Sequence, residues 1–151
     1  MTDIAIRLFE VGDGVRLMDI AQRCLYEVIN RDYPSQIIEK MCSHFTAEWF
    51  VEVSRSWEVY VAETDCQVVG TVSRDGNNVY ALFVDPDMVG RGIGRRLMLH
   101  IERLAARDGY EYIERYANIP SHSFYLKLGF TDIGESETRF GFAYVMRKPL
   151  S

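Results

Sequence analysis

The apolar positions of this chain change period as they run. Ile4 to Phe9 alternates, with Ile4, Ile6 and Leu8 on one face, which predicts a strand. Gly12-Asp13-Gly14 interrupts it. The repeat then becomes helical, with Leu17, Ile20/Ala21, Cys24/Leu25 and Val28 in one buried stripe. Asn30 to Pro34 reads as a loop, and Ser35 as the cap of a second helix running to about Val53. Trp57 to Glu63 and Val68 to Arg74 read as strands joined by a polar turn at Thr64-Asp65. Asp75-Gly76-Asn77 is a hairpin signal. It leads into Val79-Tyr80-Ala81-Leu82-Phe83-Val84, apolar throughout and so expected to be covered on both faces. Ile93, Leu97, Ile101 and Leu104/Ala105 mark another core-facing helix, and Glu111 to Ala117 another strand. Pro120 and Ser121 open a short helix that Gly129 ends, and a last strand pair follows. The predicted order is β-α-α-β-β-β-α-β-α-β-β, an α/β fold with a mixed sheet and helices on both faces.

Between the fourth strand and its helix lies Val89-Gly90-Arg91-Gly92-Ile93-Gly94-Arg95-Arg96. A helix start leaves N–H groups free, and these can hold an anion. Gly90, Gly92 and Gly94 lack Cβ, so a phosphate can approach the main chain closely, while Arg91, Arg95 and Arg96 add positive charge. A dinucleotide fingerprint needs G-x-G-x-x-G, but the sixth position from Gly90 is Arg95. A nucleotide P-loop needs Gly-Lys-Ser/Thr, which is missing. A tight turn alone does not need three alternating glycines beside three arginines.

A second constellation, Asn118-Ile119-Pro120-Ser121-His122-Ser123-Phe124-Tyr125-Leu126-Lys127-Leu128-Gly129-Phe130, follows the fifth strand. Together the two motifs resemble the GNAT superfamily, the GCN5-related N-acetyltransferases, in order and spacing. The resemblance spans the whole chain, to the final strand pair ending Tyr144-Val145-Met146-Arg147-Lys148-Pro149-Leu150. It implies one domain over residues 1–151 with a single mixed, mostly antiparallel sheet whose fourth and fifth strands splay apart.

Composition narrows the setting. At 151 residues the chain is one domain with a sizeable core, and 48% hydrophobic with 26% charged residues is ordinary for a globular protein. A net charge of −5 argues against nucleic acid or an anionic membrane as a general partner. No apolar stretch is long enough to span a bilayer, and no signal-peptide pattern stands at the N-terminus, so a cytoplasmic location is expected. Cys24, Cys42 and Cys66 are odd in number and widely spaced, which suits reduced thiols better than a disulfide or zinc framework. No metal is expected. A homodimer is admitted as an assembly state.

The resemblance implies acetyl-CoA as co-substrate, its diphosphate on main-chain N–H groups from Val89 to Arg95: Val89, Gly90, Arg91, Gly92, Ile93, Gly94 and Arg95. It implies a pantetheine arm paired with the backbone of Leu82, Phe83 and Val84, one of whose N–H groups supports the developing oxyanion. Tyr125 stands where many members place a tyrosine near the cofactor sulfur, so its phenol can protonate the departing thiolate; a core tyrosine is the plain alternative. Asn118 and Ser121 match positions that meet the cofactor, though both residue types also cap helices. Lys127 reaches a phosphate or is an ordinary exposed lysine. Two positions depart from the family: Val89 replaces a usual Arg or Gln, and Asn78 stands where some members carry a glutamate base. Glu114, sharing a strand face with Tyr112 and Tyr116, is the candidate replacement base; a paired strand carboxylate is the alternative. His44 and His122 read as surface helix residues.

For the acceptor, the first helices and last strands supply Tyr26, Tyr33, Phe45, Trp49, Phe50, Phe140, Phe142 and Tyr144, with Glu27, Asp32, Glu48, Glu135 and Glu137 nearby. Aromatics with carboxylates suit a cationic amine, so a small-molecule amine is the expected acceptor. A protein Nα- or lysine acetyltransferase needs an open groove between the helix pair and the final hairpin. A non-catalytic acyl-CoA-binding domain is the third reading.

Overall fold

A computed structural model describes residues 3–151. Seven strands form one sheet: β1 (Ala5–Leu8), β2 (Glu58–Thr64), β3 (Gln67–Asp75), β4 (Asn78–Val84), β5 (Tyr112–Ala117), β6 (Thr131–Thr138) and β7 (Gly141–Pro149). Their spatial order is β1-β2-β3-β4-β5-β7-β6, and only the β4–β5 pairing is parallel. The helices are α1 (Gly14–Glu27), α2 (Ser35–His44), α3 (Ala47–Val53), α4 (Ile93–Arg107) and α5 (His122–Lys127). One core cluster joins α1, α2 and α3 to one sheet face, through Leu17, Leu25, Phe50 and Phe83. The other joins α4 and α5 to the opposite face, through Leu97, Ile101, Ile113 and Tyr125. The expected mixed α/β sheet, helices on both faces, is the observed one.

Local chemistry explains where the chain departs from its periodicity. The helix expected from Ser35 to Val53 is two helices. Phe45 leaves helical geometry, and Thr46 becomes a new N-cap whose hydroxyl accepts from Trp49 N at 3.1 Å. The break lets Phe45 meet Phe83 of the sheet edge-on, with ring centroids 5.0 Å apart. Ser35 is the first helical residue and does not cap; Pro34 holds the N-cap position, and its carbonyl accepts from Ile37 and Ile38. Val28 ends the α1 stripe exposed, past the last turn, and Leu8 is 58% exposed where the short edge strand β1 runs out of cover. The β2–β3 turn is Asp65-Cys66, both at positive φ, with Thr64 paired to Gln67. Between β3 and β4, Gly76 takes φ +61 as its hairpin signal requires.

β4 is the strand that shapes the site. Ala81 sits at φ +52, inside a register shift in which β4 carries one residue more than β3. The bulge puts Tyr80 and Ala81 on the α1 face together and resets the alternation beyond. Phe83 then faces α1 and α2, while Leu82 and Val84 face α4. Both faces of β4 are thus covered, as the apolar run requires.

Candidate active site

The loop after β4 is anchored before it turns. Asp85 is buried; its carboxylate accepts from Arg16 at 2.7 Å and Arg23 at 3.0 Å, both on α1, and from the N–H of Asp87 at 2.9 Å. Burial opposes ionisation here, but the Asp87 N–H and the two guanidinium groups outweigh it and hold the carboxyl below the usual range. A short 3-10 turn, Pro86–Met88, then delivers the chain to Gly90 at φ +87 and Gly92 at φ +78. Gly92 is the N-cap of α4 and offers no side chain to its first-turn amides. Nothing lies within 4 Å of where a Cβ on Gly90 or Gly92 would sit. Left-handed backbone, open space and uncapped amides make a cradle that fits a diphosphate.

Two residues of that junction play other parts. A Cβ on Gly94 would lie 3.1 Å from Phe124 and 3.6 Å from Val84, so this glycine lets α4 pack against α5; its side-chain space does not belong to the phosphate. Arg96 donates to the Ile4 carbonyl at 2.9 Å and ties α4 to the start of β1. Arg91 and Arg95 are exposed beside the cradle, as is Val89.

Below the cradle the sheet opens. β4 and β5 pair only at Asn78↔Glu114 and Val79↔Arg115 and then part. On the far side β3 still pairs with Phe83 and Val84, so the β5-facing main chain of Leu82, Phe83 and Val84 has no strand partner. That free edge suits an extended amide-bearing arm, which would pair with it as a short strand does.

Tyr125 lies on the α4 side of the opening, fully buried, its ring edge-on to Phe124 and Phe130. Its buried hydroxyl lacks a well-formed hydrogen bond, with the Arg115 guanidinium as its polar neighbour, an arrangement that is costly unless used. Burial pushes the phenol above its ordinary value, and the Arg115 guanidinium, 5.7 Å from the ring centroid, pulls the other way. Arg115 stands where the strands part. One Nη donates to the Val79 carbonyl at 3.1 Å, and its buried Nε has no partner. Asn118 accepts from Ser121 N at 3.1 Å, and Ser121 Oγ donates to the Asn118 carbonyl at 3.1 Å. Both side chains therefore serve the turn into α5, as their capping chemistry allows. Lys127 is exposed.

On the other face, beneath α2, α3 and the β6–β7 hairpin, lies a cavity of about 730 Å³ that reaches the β4–β5 opening. Tyr33, Phe45, Trp49, Phe140 and Phe142 of the expected aromatics line it; Tyr26, Phe50 and Tyr144 do not. None of Glu27, Asp32, Glu48, Glu135 and Glu137 lines it, because they point outward from α1, α3, β6 and the connecting loop. Glu114 is the one carboxylate in the lining, and Arg147 holds it at 3.0 Å. The paired-carboxylate alternative is thus the observed state of Glu114, inside the site all the same. Trp57 and Tyr80 stack at 4.4 Å along one wall.

The helix pair and the hairpin touch above this cavity. Tyr33 donates its hydroxyl proton to the Phe142 carbonyl at 2.5 Å and accepts from the N–H of Ile119 at 3.1 Å. Arg139, at the hairpin tip, reaches His44 Nδ1 at 3.1 Å. Burial and then Arg139 lower the His44 pKa, so its neutral ring accepts that hydrogen bond. His44 lines the cavity and is no ordinary surface residue, whereas His122 pairs with Asp132 at 2.8 Å outside it. Sequence reading passed over Arg115, Trp57 and Arg147. Arg115 did leave a signal, a cation alternating with Ile113 and Ala117 on a covered face. Among the described residues no group of side chains could hold a metal ion, and no helix is long and apolar enough to cross a membrane.

Comparison with known proteins agrees with this layout. A family model described as an acetyltransferase (GNAT) domain matches residues 55–132. The peptidyl-lysine N-acetyltransferase YjaB of Salmonella typhimurium is 31% identical over 138 residues, covering 89% of this chain and 88% of the relative. Among solved structures, a GCN5-related N-acetyltransferase from Rhodopseudomonas palustris superposes with a TM-score of 0.91 at 21% identity, covering 99% of this chain and 98% of the other. The PaiA N-acetyltransferase of Thermoplasma acidophilum, solved in complex with coenzyme A, superposes with a TM-score of 0.80 at 22% identity, covering 97% and 99%.

Proposed function

This chain belongs to the GNAT family of N-acetyltransferases, and from that premise we propose that it moves an acetyl group from acetyl-CoA to the primary amine of a small molecule. The observation that carries the acceptor half is a pair of contacts that bridges α2 and the loop before it to the β6–β7 hairpin above the cavity. A protein substrate would lie in an open groove between the helix pair and the hairpin, but Tyr33–Phe142 and Arg139–His44 contacts span that line.

Bound acetyl-CoA supplies an activated acyl group as a thioester. The first-turn amides of α4 hold the diphosphate, with Gly90 and Gly92 keeping the approach clear and Arg91 and Arg95 adding charge. Main-chain N–H groups at the free edge of Leu82–Val84 orient the pantetheine arm, and one of them takes up negative charge on the acyl oxygen as the amine attacks. The amine must shed a proton to expose its lone pair, and Glu114, directly or through water, receives it in this reading. Tyr125 gives its phenolic proton to the sulfur as the carbon–sulfur bond breaks. Burial favours the protonated phenol, so the donor is charged with its proton at neutral pH. Asn118 and Ser121 fix the turn that carries α5, and with it Tyr125.

A second reading has one observation in its favour: the relative from Salmonella typhimurium is named a peptidyl-lysine N-acetyltransferase. A lysine side chain is slender enough for an aromatic cavity once the hairpin lifts from α2. Release of free coenzyme A thiol should be measured with a panel of small amines and with lysine peptides. Turnover of small amines supports the proposal; acetylation of peptides alone, with every small amine inert, replaces it with the second reading.

A further inference from the structure

The charges of the acceptor cavity select among amines. Its walls are apolar rings, Phe45, Trp49, Trp57 and Phe140 among them. Two arginines line it, Arg115 and Arg139, against the single carboxylate of Glu114, which Arg147 already holds at 3.0 Å; the Arg115 guanidinium sits toward Tyr125, where the strands part. A polycation entering here would meet the like charge of Arg139 and no unengaged anion, an arrangement that low-dielectric walls make costly.

Arg139 hangs from the β6–β7 turn with its Cζ 4.6 Å over the Phe140 ring and one nitrogen on the neutral His44 ring. It forms no ion pair among the described residues. The titratable or charged groups lining the cavity around it are His44, Tyr33, Tyr80, Tyr116, Glu114 and Arg115, and none of them offers Arg139 a carboxylate, since Glu114 is on Arg147. An exposed fork of N–H donors, stacked on a ring at the mouth of an aromatic chamber, matches the planar geometry of a carboxylate.

We infer that the acceptor is an amine on an aromatic or branched apolar body that also carries a carboxylate, and that Arg139 receives this carboxylate. The inference rests on the acetyl-transfer reading above and adds the class of molecule. It places polyamines and other polycations among the poorest acceptors.

The test uses matched pairs that differ by the carboxylate: phenylalanine against phenethylamine, and para-aminomethylbenzoate against benzylamine, with spermidine as the polycation. Thiol release is followed with the unaltered protein and with Arg139→Gln, and coenzyme A affinity is titrated for both. In at least one pair the carboxylate-bearing member is expected to lead by roughly tenfold in kcat/KM, the range of one charged hydrogen bond. Arg139→Gln should erase that lead and leave coenzyme A affinity unchanged. Thiol release in which phenethylamine and benzylamine both match or exceed their carboxylate-bearing partners, or spermidine matches the better of those partners, overturns the acceptor class while acetyl transfer stands. A lead that survives Arg139→Gln overturns the assignment to Arg139. No thiol release with any small amine overturns the parent reading too, and the presence or absence of thiol tells the failures apart.

Discussion

Tyr125→Phe separates a catalytic phenol from a packing one, because the two roles move stability and rate in different directions. The ring is fully buried between Phe124 and Phe130, so phenylalanine keeps every apolar contact and removes one oxygen. That hydroxyl has no well-formed hydrogen bond in the folded protein, and the Arg115 guanidinium is its polar neighbour. A buried, unsatisfied polar group costs about 1–3 kcal/mol, and its removal should return at least part of this. For a chain of this size about 1 kcal/mol corresponds to a rise of roughly 2–4 °C in Tm. Turnover should fall by about 10²–10⁴-fold, the usual contribution of a general acid, while affinity for coenzyme A stays nearly unchanged. Calorimetric melting, thiol-release kinetics and a coenzyme A titration on the two proteins give all three numbers. Unchanged turnover would refute the role of Tyr125 in the chemistry. A fall in Tm together with unchanged turnover would show a hydroxyl that is satisfied and merely structural.

Three further outcomes are expected. Gly92→Glu forces a side chain into left-handed backbone at φ +78 and sets a carboxylate over the uncapped amides, so a calorimetric titration should find coenzyme A binding lost, with the fold retained by circular dichroism. Gly94→Leu should instead lower stability by about 2 kcal/mol, read as a fall in Tm, through collision with Phe124, because that space is filled by packing. Asp85→Asn should cost about 2 kcal/mol at neutral pH by weakening its bonds to Arg16 and Arg23. Because the folded Asp85 carboxyl titrates below its unfolded value, its stabilisation is complete above the unfolded pKa and is lost as pH falls through the folded one; denaturant midpoints of the two proteins should converge in acid.

Much of the fold was legible because one period dominated each segment. The stripe through Ile93, Leu97 and Ile101 fixed α4, and Gly76 marked its hairpin. The turn between β4 and α4 was legible in its glycines, since Gly90 and Gly92 do take left-handed backbone there. Side-chain partnerships across distant elements left little trace. Nothing near Glu114 in the sequence points to Arg147 thirty-three positions on, or near His44 to Arg139. The break at Phe45–Thr46 was hidden because a helical stripe continues through it, and only Thr46 as an N-cap marks it. The acidic residues near the acceptor helices were placed by proximity in sequence, yet strand and helix faces turned them outward. Gly94 shows that a shared motif does not imply a shared reason, as Phe124 occupies the space its Cβ would need.

Acetyl transfer by this chain requires the amides at the start of α4 to hold the diphosphate of coenzyme A. Nitrogen-15 amide spectra recorded during a coenzyme A titration address this residue by residue. The signals of Gly90 to Arg95 should move most, saturating with a single affinity, with those of Leu82–Val84 following at the same concentrations. Stationary signals from Gly90 to Arg95 at millimolar coenzyme A would contradict it.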